Sequence, residues 1–164
     1  MPGYWLCKSE PDVYSIDDLR RDKVTGWEGV RNYQARNFMR DGMQPGDRVL
    51  VYHSNAEPTG VAGIAEVAGA AKADPTQFDP RSEYHDPKST REAPRWVMRE
   101  LRFVERFARV VTLEELKGCK ALGAMAALQK GNRLSVTPVT KAEFDAVVRM
   151  AKGLPATPAA DSRK

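Results

Sequence analysis

Three stretches of this chain concentrate side chains able to do recognition chemistry. Lys8-Ser9-Glu10 sets a cation, a hydroxyl and a carboxylate at the end of the aromatic run Tyr4-Trp5-Leu6-Cys7. Trp27 opens a second stretch, continuing as Glu28-Gly29-Val30-Arg31-Asn32-Tyr33-Gln34-Ala35-Arg36-Asn37. The third is Tyr52-His53-Ser54-Asn55, where a strand runs into a loop. Flat rings, hydrogen-bonding groups and a cation are what a pocket needs to hold an unpaired base. Rings stack on its face and polar groups read its edge. The same residues have plainer uses. Trp27 and Tyr33 suit a hydrophobic core, Glu10 a turn, and His53 a buried, internally bonded position. Asn37 and Tyr33 could fix a helix against a strand end, and Arg31, Arg36 and Arg133 could pair with nearby carboxylates.

Covalent chemistry finds little support. No GxSxG, HExxH, Walker A or GxGxxG pattern occurs. The adjacent carboxylates Asp17-Asp18 and Glu114-Glu115 fall where helices start, and there they favour the helix dipole. Cys7 lies in a strand, so its neighbour Lys8 points to the other face and cannot activate it directly. Cys7 and Cys119 read as reduced, buried thiols of an intracellular protein. With only His53 and His85 beside them, no zinc site of the Cys/His kind is expected, nor any other metal or cofactor. The expectation is a protein that binds without catalysis.

The elements that must position these groups are legible in outline. Tyr4 to Cys7 suggests a strand that breaks at Lys8-Ser9-Glu10-Pro11. Ser15-Ile16-Asp17-Asp18 resembles a capping box opening a short helix, and a second helix is expected from about Tyr33 to Asp41, stopping at Gly42. Arg48 to Tyr52 and Gly60 to Val67 read as strands, and Arg95 to Phe107 as a long one. Asp74 to Pro94, with prolines at 75, 80, 87 and 94, is a long irregular excursion of the kind that often carries function. Thr112-Leu113-Glu114-Glu115 and Thr140-Lys141-Ala142-Glu143 are further capping boxes. Arg133 to Val136 is a short strand candidate after Gly131. Five or six strands with short helices give an α+β sheet or partly closed barrel. Residues 1–152 form one domain and 153–164 a solvated tail.

Composition limits the partners. The chain has 164 residues, 29% of them charged, and a net charge of +4. Its mean hydropathy is −0.54, and no apolar run approaches the ~20 residues that span a bilayer. The first fifteen residues lack a basic-then-apolar signal pattern, so an intracellular, cytoplasmic monomer (nuclear in a eukaryote) is expected. Residues 1–56 carry eight basic and eight acidic side chains and residues 57–90 three and six, so the positive excess lies entirely after residue 90. That excess permits a polyanionic partner without demonstrating one.

Taken in order, the three stretches resemble the EVE domain family. Gly60-Val61-Ala62-Gly63, Asp74-Pro75-Thr76-Gln77-Phe78-Asp79, Tyr84-His85-Asp86-Pro87-Lys88 and Asn132-Arg133-Leu134-Ser135-Val136 extend the likeness over about residues 3–150. One departure is Cys7, where a methionine or similar apolar residue is expected. The resemblance implies a PUA-like mixed β pseudo-barrel with surrounding short helices, and a nucleic-acid partner, modified DNA or RNA. It further implies recognition of a modified nucleobase such as 5-methylcytosine, flipped into a pocket. Lys8, Ser9, Glu10, Trp27, Asn32, Tyr33, His53 and Ser54 are the expected base-binding residues, with Trp27 as the first choice of stacking ring. Arg31, Arg36 and Arg133 are expected to meet the nucleic-acid backbone, and Trp5 and Trp96 to serve the core. The alternatives are an RNA-binding accessory factor with no modified-base requirement, and a nucleotide-processing enzyme.

Overall fold

The computed structural model describes residues 3–158. Its centre is a mixed sheet built from β1 (Tyr4–Ser9), β2 (Val24–Trp27), β3 (Arg48–His53), β4 (Gly60–Val67), β5 (Lys72–Ala73), β6 (Val97–Thr112) and β7 (Val136–Val139). The strands run in the order β2-β6-β4-β3-β1-β7, with β5 beside β6. Only β1 and β3 pair in parallel; the other pairs are antiparallel. The sheet curls, with register shifts where β3 meets β4 and β4 meets β6. Its two end strands, β2 and β7, do not pair with each other. This is a pseudo-barrel with an open seam.

Strand alternation assigns the two faces. Trp5 and Cys7 of β1, Val49 and Val51 of β3, Ala65 and Val67 of β4, Leu101 of β6, Trp27 of β2 and Val136 of β7 share one buried cluster. Leu6, Leu50, Tyr52, Ile64 and Phe107 point the other way, under Phe144 and Val147 of α4 (Lys141–Ala151). Helix α1 (Ile16–Asp22) buries Ile16 and Leu19 in the first cluster. The short α3 (Leu113–Lys117) adds Leu116 to the second. The expected capping boxes are present: Ser15, Thr112 and Thr140 each accept from the backbone N–H three residues on, and Asp18, Glu115 and Glu143 return the bond.

Several boundaries differ from expectation, each for a tertiary reason. β1 continues through Lys8 and Ser9, because these pair with Tyr52 and His53; Pro11, with no N–H, lies beyond the paired residues. β2 was not expected at all: four residues containing Gly26 make a weak local signal, and the strand exists by pairing with Arg99 to Arg102 of β6. The last strand is Val136–Val139 rather than Arg133 to Val136, and Pro138 is tolerated because β7 is an edge paired only to β1. The second helix is divided into α2 (Tyr33–Asn37) and a wider π-type turn over Phe38–Gly42. Of the expected tail, residues 154–158 lie back along α4, where Arg149 Nε donates to the Pro155 carbonyl at 2.7 Å; residues 159–164 lie outside the described residues. No helix among the described residues is long and apolar enough to cross a membrane.

Candidate functional site

A cavity of about 760 Å³ opens at the seam of the sheet. One wall comes from the end of β1 and its following turn, with Lys8, Ser9, Glu10, Val13 and Tyr14. The facing wall is β2 and its exit loop, from Thr25 to Val30. Ser54, after β3, and Arg133 and Ser135, before β7, close one side, and Glu83 and Tyr84 of the long excursion close another. The seam explains the location. Two edge strands that approach without pairing leave a gap, and the loops leaving them supply its polar lining.

The β1 wall is rigid. The Lys8 N–H donates to the Ser135 carbonyl at 2.8 Å and the Ser54 N–H to the Ser9 carbonyl at 3.0 Å. Ser9 Oγ donates to the Tyr14 carbonyl at 2.7 Å, and Asn55 Nδ2 to Glu10 Oε1 at 2.6 Å. Tyr14 meets Trp27 edge to face, with centroids 6.3 Å apart. Lys8 Nζ lies 5.5 Å from the Tyr52 ring centroid, and burial lowers its pKa. Arg133 is exposed at the rim and forms no ion pair with a described residue.

The opposite wall hangs on Asp74, which is wholly buried. Its carboxylate accepts from the Gly29 N–H at 2.7 Å and from Arg31 Nη1 at 3.1 Å, and it also caps the 3-10 turn Pro75–Phe78. Arg31 Nε and Nη2 both donate to the Tyr84 carbonyl, at 3.0 and 2.7 Å, and Nη2 also donates to Thr76 Oγ1. Tyr84 then lies against Gly29. A Cβ at Gly29, whose φ is +83°, would fall 2.8 Å from the Tyr84 ring, so only glycine serves there. Behind this wall, buried Gln77 ties the excursion together: Nε2 donates to the Asp74 and Trp96 carbonyls, and Oε1 accepts from the Arg95 and Trp96 N–H groups.

The structure gathers Lys8, Ser9, Glu10, Trp27, Ser54 and Arg133 around the cavity and sends the other expected residues elsewhere. Asn32 is the N-cap of α2; its Oδ1 accepts from the Gln34 and Ala35 N–H groups, and it does not line the cavity. Tyr33 is also outside the lining, stacked on Trp96 at 4.7 Å with Arg36 over its ring. His53 is buried, and its Nε2 accepts the Ile16 N–H at 3.1 Å, which requires a neutral ring protonated on Nδ1. Arg31 is engaged with Asp74 and Tyr84, and Arg36 with the Arg95 carbonyl and Asn37 Oδ1. Neither lines the cavity. Trp27 itself is only 7% exposed and mostly a core residue. Trp5 and Trp96 are buried.

Sequence reasoning passed over Tyr14, Glu28 and Tyr84. Glu28 and Tyr84 lie inside the motifs above with nothing local to mark a role, and Tyr14 has only its place beside Ser15 as a signal. Glu28 has an exposed carboxylate that forms no hydrogen bond or ion pair with a described residue. Desolvation, and then the charge of Asp74, raise its pKa. Tyr84 presents the more accessible ring. Its phenol pKa is also raised, first by burial and then by the neighbouring Glu83 carboxylate. Among the described residues no group of three metal-ligating side chains comes together, and Cys7 is fully buried with its thiol pushed up to about 12.

The chain resembles known proteins over nearly its whole length. Human thymocyte nuclear protein 1 is 38% identical over 168 residues, an alignment covering 92% of this chain and 74% of that protein. A hypothetical protein from Leishmania major superposes with a TM-score of 0.90 at 49% identity, covering 93% of this chain and 96% of that one. Human THYN1 protein, solved in complex with 5-methylcytosine-containing DNA, superposes with a TM-score of 0.85 at 38% identity, covering 93% and 99%. The EVE domain matches residues 3–150, spanning every element that builds the seam and its cavity, and the chain belongs to that family.

Proposed function

We propose that this protein is a non-catalytic nucleic-acid-binding module that recognises a modified base, of the 5-methylcytosine kind, turned out of its stack into the seam cavity. The observation that carries this reading is the cavity's composition: rings from Trp27, Tyr14 and Tyr84, polar groups from Ser9, Glu10 and Ser54, and cations Lys8 and Arg133 at its edge. Its volume lies within the roughly 300–1,000 Å³ of small-ligand sites. The likeness to human THYN1 protein, solved with methylated DNA, supports the class of partner. Extrusion costs a few kcal/mol, and stacking on an aromatic ring returns about 1–3 kcal/mol, so the rings can offset much of it. Lys8 and Arg133 would meet the flanking phosphates. Asn32, Tyr33, His53, Arg31 and Arg36 would act indirectly, by holding the walls.

Binding of matched oligonucleotides with and without a single 5-methylcytosine, across a salt series, tests the reading. The expected result is a preference that persists at every salt concentration while absolute affinity falls. Equal binding to both would sink it. The same pair made as RNA separates a modified-base reader from an RNA-binding factor with no modification requirement.

A further inference from the structure

We propose that Glu28 is the residue that selects the base, accepting a hydrogen bond from an exocyclic amino group, so that the cavity takes the cytosine class and rejects thymine and uracil. This rests on the cavity being a base pocket. Three carboxylates line it, Glu10, Glu28 and Glu83. Glu10 accepts from Asn55 through Oε1 and Glu83 lies on the exposed excursion, whereas Glu28 forms no hydrogen bond with a described residue and directly follows the Trp27 ring.

The position of Glu28 is built rather than incidental. Its backbone lies between Trp27, fixed in the core, and Gly29, held by Asp74. Its Oε1 lies over Gly26, 3.3 Å from where a Cβ would stand, so the absent side chain of Gly26 makes room for the carboxylate at the cavity wall. Partial desolvation and the Asp74 charge oppose ionisation of the unpaired group, and a donor from a ligand would relieve both.

5-Methylcytosine and thymine differ along one edge: C4 carries an amino group against a carbonyl, and N3 is an acceptor against an N–H, so a carboxylate set opposite the C4 substituent tells them apart. A carboxylate accepts from the amino group, as glutamate does from cytosine N4 in duplex recognition. Facing a carbonyl, it sets acceptor against acceptor, and a desolvated group with no partner is costly. The seat thus distinguishes 5-methylcytosine from its own deamination product.

The test uses the full chain and duplexes bearing one central 5-methylcytosine, thymine or abasic site, each opposite an abasic site so that pairing strength does not enter. Wild-type protein is expected to prefer 5-methylcytosine over thymine by about tenfold or more. Glu28→Gln, whose amide both donates and accepts, should bring the two within about threefold, and Glu28→Asp should keep the direction of preference. Because the side chain is exposed, each variant should fold, which unchanged thermal unfolding verifies. A Glu28→Gln variant that keeps the wild-type preference overturns the Glu28 assignment while leaving the base pocket standing. Wild-type protein that favours neither base over the central abasic site overturns both.

Discussion

His53 illustrates how a side chain suited by type to recognition can be taken up by the fold itself. A histidine beside Ser54 reads as a base contact, yet its ring nitrogen is spent on the first N–H of α1. Burial pushes its pKa below the ordinary 6.5, against the opposing charge of Asp17. The unfolded chain therefore takes up a proton that the folded chain refuses. Stability from this site is complete above about pH 6.5 and declines as pH falls toward the folded pKa. Denaturant midpoints from about pH 8 to pH 5 should show the decline, and His53→Gln, which can accept the same bond through its amide oxygen, should lessen it. An unchanged slope would put the titrating group elsewhere. Glu28 is the converse case, an unremarkable carboxylate in sequence that only the folded cavity makes conspicuous.

At the scale of elements, the excursion between β5 and β6 is an anchored strap. Sequence marks it as irregular through its prolines; it does not reveal that buried Asp74 and Gln77 fasten it to the β2 exit loop and to the start of β6. Arg31 is the rivet, with Asp74 on one side and the Tyr84 carbonyl on the other. Removing it leaves a carboxylate buried without its charge partner, so Arg31→Ala should cost about 3 kcal/mol in chemical denaturation. Under conditions where it remains folded, the variant should also bind modified oligonucleotides more weakly, because Tyr84 loses its tether. Loss of stability with full binding would mean that Tyr84 is not part of the recognition surface. The α1 box and those opening α3 and α4, by contrast, were legible directly. A cap is completed within four residues, so the sequence window contains every participant.

For the whole molecule, the question is what the +4 charge does. Many of its basic groups are already paired: Arg102 with Glu66, Arg106 with Asp17, Arg109 with Glu115, Lys72 with Glu100. The cavity edge adds two cations and sits mainly in the chain's neutral first part. Nucleic-acid binding should therefore be only weakly salt-dependent. With Lys8 and Arg133 each neutralising one phosphate, a plot of log affinity against log salt should have a slope of roughly −2. Arg133→Ala should make it shallower by about one, equally for modified and unmodified strands. A slope several times steeper would mean that a larger basic surface carries the contact.

The sequence by itself determined the family, the α+β character, most strands and all three capping boxes, because these depend on residues close together in the chain or on long motifs in fixed order. It also named half a dozen of the residues around the cavity. The tertiary structure alone decided that β2 exists, that the sheet ends in an unpaired seam, and which polar side chains look into it. Asn32 is consumed by its own helix, whereas Gly29 and Asp74 meet across 45 positions of sequence. Whether a side chain is spent or spare is settled by partners that distant, and no local pattern encodes them.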